Sequence, residues 1–121
     1  MFTLLRFLRN ASSYRMQLQG TAMEHTSFGD QRNATFSLNE EDHTLANALR
    51  FTLNQDPRVM FCGYSIPHPS EARVNIRVQT TGDPAREVLK DACQELMQMC
   101  QHVRTTLDNA VADFKKESSR R

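Results

Sequence analysis

The densest run of chemically capable side chains is Glu40-Glu41-Asp42-His43, three carboxylates followed at once by an imidazole. A carboxylate and an imidazole in a cleft are the usual partners in general acid–base catalysis, so a small hydrolase using Asp42 and His43 is one reading. Neighbours at a strand-to-helix junction point in divergent directions, however. Acids there are stabilised by unpaired N–H groups and the helix dipole at about 0.3–1 kcal/mol each, without any catalytic purpose. Metal ligation would draw on His43, Cys62, His68 or His102, none of which pairs at a spacing such as Cys-x-x-Cys or two histidines one helical turn apart. Cys93 and Cys100 fall on one helix face about 10 Å apart, beyond the roughly 7 Å Cα limit for a disulfide. Gly20, Gly29, Gly63 and Gly82 are scattered singly and make no phosphate-cradling loop. No catalytic residue, metal or cofactor is expected.

The elements that carry these residues must come from a chain of 121 residues, enough for one modest domain. With 15 Lys and Arg against 14 Asp and Glu, no excess positive field attracts phosphate backbones, so protein is the expected partner. Three cysteines without metal-type pairing suit a reducing compartment with buried thiols, and no stretch suits a membrane span. Residues 1–33 read as an extension, either disordered or targeting-like. Phe2, Leu4, Leu5, Phe7 and Leu8 there alternate with Arg6 and Arg9, and no acid precedes Glu24.

From Ala34, apolar Ala34, Phe36 and Leu38 alternate with Thr35, Ser37 and Asn39, a half-buried strand. A helix follows from Thr44 to about Gln55, capped by Asp42 or Thr44 and stopped before Pro57. Val59–Ile66 reads as a strand apolar on both faces, placed inside the sheet. Arg73–Thr80 alternates with Val74, Ile76 and Val78 inward, and so has one wet face. Asp83 is a candidate cap for a second helix, with Pro84 at its first position.

That second helix runs without Gly or Pro. Leu89, Cys93, Leu96, Cys100, Val103, Leu107, Ala110 and Phe114 repeat at alternating steps of four and three, the spacing of a helix that packs along another helix. About 30 residues span roughly 45 Å, against a body nearer 30 Å across. The distal part of the stripe is therefore an association surface.

The residues also carry a resemblance. Glu41-Asp42-His43-Thr44-Leu45-Ala46-Asn47-Ala48-Leu49-Arg50, then Phe61-Cys62-Gly63-Tyr64 with His68-Pro69, then Asn75-Ile76-Arg77-Val78-Gln79-Thr80, resemble the small alpha-like subunits of multisubunit RNA polymerases. That family takes in archaeal subunit L and, more distantly, the dimerisation domain of bacterial alpha. Phe61–Tyr64, Pro69-Ser70-Glu71 and Cys100-Gln101-His102-Val103 lean toward the form shared by polymerases I and III rather than that of polymerase II. The motif residues carried over are Glu41, Asp42, His43, Thr44, Leu45, Asn47, Leu49, Arg50, Gly63, Tyr64, His68 and Pro69. Ala46 stands where the family usually has Gly.

The resemblance implies an α+β fold in the order β-α-β-β-α, a small sheet with two helices on one face. The dimerisation domain would cover residues 34–116, and 117–121 a polar tail. It further implies a non-catalytic subunit that forms an obligate heterodimer with the larger alpha-like subunit. That pair docks the second-largest and other subunits of polymerases I and III in the nucleus, nucleolus included, for transcription of rRNA, 5S rRNA and tRNA. DNA is met only through the assembled complex. The implied heterodimer interface is Leu45, Leu49 and Thr52 of the first helix with Leu89, Cys93, Leu96, Cys100, Val103 and Leu107 of the second. The polymerase II counterpart is the alternative within the same class.

Overall fold

The computed structural model describes residues 23–26 and 30–120. Strand β1 (Met23–Thr26) precedes β2 (Asn33–Asn39), helix α1 (His43–Gln55), β3 (Val59–Ser65), β4 (Arg73–Thr80) and the long helix α2 (Ala85–Ser118). The four strands form one antiparallel sheet in the order β1-β2-β4-β3. Both helices lie on one face of it, the α+β arrangement implied above. The reading of residues 1–33 as an extension falls mostly outside the described residues.

Alternation in β2 and β4 sets the two faces of the sheet. Their register pairs Ala34 with Val78, Phe36 with Ile76 and Leu38 with Val74, and all six side chains are buried under the helices. A slip of one residue would turn every one of them to solvent. On the opposite, wet face Ser37 donates to Asn75 Oδ1 at 2.7 Å and the Arg77 guanidinium to Thr35 Oγ1 at 3.3 Å.

Two features of the sheet differ from the sequence expectation. β1 adds a fourth strand ahead of Ala34, pairing Met23–Thr26 with Ser37–Ala34. And β3, read as interior, is an edge strand bonded to β4 alone. Its inward Cys62 is buried, but Phe61 lies on the open face and Met60, at the irregularity between Val59 and Phe61, is 71% exposed. Apolar residues on both faces of a strand signal two covers, and the described residues supply one.

The junction into α1 is built from its acids. Glu40 takes a left-handed conformation, φ 58°, and donates its N–H to Ala72 O at 2.6 Å, which turns the chain off the sheet. Asp42 is the cap, its Oδ1 accepting the Thr44 N–H at 2.8 Å. That bond, and a second with the Thr44 hydroxyl, holds the Asp42 carboxyl below its ordinary pKa. With its start fixed, α1 turns Leu45, Ala46, Leu49, Thr52 and Leu53 into the core. The Ala46 methyl is fully accommodated there.

α2 begins differently from the expectation. Pro84, not Asp83, occupies the cap position and no side chain caps the helix. The Asp83 carboxylate instead lies 3.7 Å from Arg58, a pairing between distant segments that local sequence does not reveal. Arg58 also forks Asp56, at 2.7 Å from Nη2, and reaches Asp91 on α2 at 3.0 Å from Nη1. Cys62 and Cys93 are buried free thiols whose pKa values desolvation pushes up to about 11 and about 12. No described helix is long and apolar enough to cross a membrane.

Two stability measurements check this account. Asp42→Ala costs about 0.5–2 kcal/mol at neutral pH by urea unfolding. Because the folded pKa is depressed, that difference is complete above the ordinary carboxylate range and narrows as pH falls through the folded pKa. At the alkaline end the sign reverses. The folded thiols keep protons that the unfolded chain sheds above about pH 8.5, so stability declines as pH rises past that point, and Cys93→Ala makes the decline shallower.

Candidate partner-binding surface

α2 divides at its fourth turn. Its buried residues, Ala85, Val88, Leu89, Ala92, Cys93 and Leu96, all lie in the first twelve positions. Met97 and Cys100 pack at the margin of the core. From Gln101 onward every described residue is exposed. Residues 101–118 therefore make roughly 27 Å of helix with no buried residue.

This free segment is not polar all round, as a solvated helix should be. Met99, Val103, Leu107 and Val111 recur at every fourth position and Phe114 closes the row, with Val103 67%, Leu107 62% and Phe114 70% exposed. The charges sit elsewhere on its circumference, in pairs at helical spacing, Arg104 with Asp108 at 3.9 Å and Asp113 with Lys116 at 3.6 Å. A shallow open groove beside α1 is lined by His43, Asn47, Arg50, Phe51 and Asn54, with Leu96 of α2 at its side. Phe51 is 61% exposed there, on the same groove that the buried Leu96 of α2 borders.

The nine side chains expected at an interface separate into two groups. Leu45, Leu49, Thr52, Leu89, Cys93 and Leu96 are buried in the chain's own core. Cys100 is half-buried, while Val103 and Leu107 stand in the open row. Desolvation raises the Cys100 thiol pKa as well. Sequence reasoning left out Met99, Val111 and Phe51. The first two were legible as the fourth-residue row through Val103 and Leu107, whereas Phe51 required knowing which side of α1 meets the sheet.

Several motif residues converge at the outer edge of the domain. His43 Nδ1 lies 2.9 Å from Tyr64 Oη with the rings edge to face, 5.7 Å between centroids. The Arg50 guanidinium stands 5.8 Å from the Tyr64 ring centre and donates to Asn47 Oδ1 at 2.9 Å. Spacing of four and three on α1 puts His43, Asn47 and Arg50 on one face, which clasps β3 through Tyr64. Gly63, beside Tyr64, leaves room for the Phe61 ring, whose Cζ would stand 3.1 Å from a Cβ placed there. His68 and Pro69 are apart from this cluster in the β3–β4 connection, where the His68 ring bonds Ser70. Asp42 and His43 serve different neighbours, the Thr44 backbone and Tyr64, rather than forming an acid–base pair. Among the described residues no group of three His, Cys, Asp or Glu could hold a metal ion.

The same arrangement is found in known proteins. Residues 33–106, from β2 into the exposed half of α2, match the family described as the RNA polymerase Rpb3/Rpb11 dimerisation domain. The chain is 43% identical over 102 residues to a Danio rerio protein named DNA-directed RNA polymerases I and III subunit RPAC2, covering 84% of this chain and 91% of that one. A Saccharomyces cerevisiae protein of the same name is 51% identical over 72 residues, 59% of this chain and about half of its own length. In fold, the chain is similar to DNA-directed RNA polymerase subunit L from Thermoplasma acidophilum, with a TM-score of 0.67 and 18% identity, covering 79% of this chain and 93% of that one. The sheet, its two helices and the matched segment together place this chain in the RNA polymerase Rpb3/Rpb11 dimerisation-domain family.

Proposed function

We propose that this chain is a non-catalytic assembly subunit of RNA polymerases I and III, pairing as an obligate heterodimer with the larger alpha-like subunit. The observation that carries the reading is the uncovered apolar row on α2. Most helical stability in proteins comes from packing of an apolar face, which residues 101–118 lack, and each large apolar side chain left exposed forgoes about 1.5–3 kcal/mol. A second helical subunit laid along the row supplies both the burial and the order. The names of the relatives support polymerases I and III, and with them a nuclear and nucleolar location. A net charge of +1 fits contact with DNA only through the assembled complex.

The interface we assign is the open row through Met99, Cys100, Val103, Leu107, Val111 and Phe114, continued by Phe51. Leu45, Leu49, Thr52, Leu89, Cys93 and Leu96 act behind it, holding both helices to the sheet. The second-largest subunit and the rest of the enzyme then dock on the completed pair.

Affinity purification of the tagged chain from nuclear extract tests the reading. The large subunits of polymerases I and III accompany it, and recovery of polymerase II subunits instead, or of none, overturns the assignment. Leu107→Asp abolishes that recovery while leaving the fold intact, because it buries an unpaired charge only in the complex. Without its partner the wild-type chain self-associates at micromolar concentration and Leu107→Asp sediments as a monomer. A monomeric wild-type chain would contradict the row's role.

A further inference from the structure

α2 is a cantilever. The fully buried residues that fix its direction lie in its first twelve positions, with Met97 and Cys100 at the margin, and most of the surface assigned to the partner lies beyond them. The buried residues at its base form a stripe about 16 Å long, and apolar packing is non-directional. It resists lifting of the helix off the sheet better than swinging across it. Such swings are amplified, since Phe114 is roughly 35 Å along the axis from Asp91 and a 10° rotation at the base moves it by about 6 Å.

Directional contacts at the base oppose that motion, among them the Ala85 N–H to Gln31 O at 2.8 Å at the helix start and, on the helix flank, Arg58 to Asp91. Arg58, in the turn between α1 and β3, binds through backbone and side chain alike. Its N–H donates to Asp56 Oδ1 at 2.9 Å and its carbonyl accepts the Thr81 N–H at 2.9 Å, so the residue itself is held between the two loops. Its Nε and Nη2 grip Asp56 at 2.7–3.2 Å, leaving Nη1 to reach Asp91 at 3.0 Å, with Asp83 in the loop entering α2 at 3.7 Å. A planar guanidinium anchored on one side presents its remaining donors in a fixed direction. The Arg58–Asp91 bond thus joins the end of α1 to the second turn of α2, away from the buried stripe.

We propose that Arg58 is a positioning residue for partner binding, setting through Asp91 the angle between α1 and the free half of α2. This rests on the heterodimer reading above. A partner that touches Phe51 on α1 and Phe114 at the helix tip needs the two at one separation, and Arg58 restricts that separation before binding.

The test measures the affinity of the full chain for the larger alpha-like subunit in Arg58→Ala, Asp91→Asn, the double variant and the exchanged pair Arg58→Asp/Asp91→Arg. Leu107→Asp is the control. Each single variant binds about three- to tenfold more weakly, the double variant no worse than either, and the exchange recovers part of the loss. The difference from wild type shrinks in high salt. Asp91→Asn lies on an exposed flank and keeps its melting temperature, so it decides the matter should Arg58→Ala unfold. If Leu107→Asp abolishes binding while Asp91→Asn binds as wild type, the positioning role is overturned and the heterodimer reading stands. If Leu107→Asp also binds as wild type, the heterodimer reading itself has failed.

Discussion

The structure depends on a mismatch of length. α2 has 34 residues, roughly 51 Å, while four strands side by side span only about 15–20 Å. No way of laying this helix on this sheet covers more than part of it, and the covered part is the first three turns. Burial then divides a continuous stripe into two uses. Its base holds the helix to the domain, and its outer half keeps the same residue types exposed.

The rest of the chain prepares that outer half. The β2–β4 register gathers Phe36, Leu38, Val74, Ile76 and Val78 into one floor, on which α1 and the base of α2 rest side by side. The Asp42 cap fixes where α1 starts and so which of its side chains enter the core, leaving Phe51 outward beside Leu96. His43, Arg50 and Tyr64 hold α1 to the edge strand. Two of the acids that suggested catalysis have structural tasks, Glu40 turning the chain through its backbone and Asp42 capping a helix. The family to which the chain belongs is described as a dimerisation domain, which agrees with an apolar row left open on α2.

Much of this was legible in the sequence because the signals were local and periodic. The alternation in Asn33–Asn39 and Arg73–Thr80, the cap at Asp42 and the heptad steps of α2 each depend on neighbours within a few residues. What was not legible depended on distant pairing. Asp83 looked like a cap until Arg58 drew it away. Val59–Ile66 reads as interior because two apolar faces are the mark of a buried strand, yet here they stand on an edge strand with one face open. Met23–Thr26 carries no alternation of its own, and its strand character comes from the free edge of β2. The candidate interface residues divide by burial in the same sense. The stripe was visible, but Leu89, Cys93 and Leu96 could be separated from Val103 and Leu107 only by knowing where the sheet ends.

Amide hydrogen exchange along α2 tests the central claim most directly, comparing the chain alone, diluted until monomeric, with the chain bound to the larger alpha-like subunit. Residues 88–96 should exchange slowly in both states, because their own core protects them. Residues 101–118 should exchange orders of magnitude faster alone than in the complex, since only the partner completes their burial. Equal protection of the two segments in the isolated chain would mean that the distal helix is stable unaided, and the account of a domain completed by its partner would be wrong.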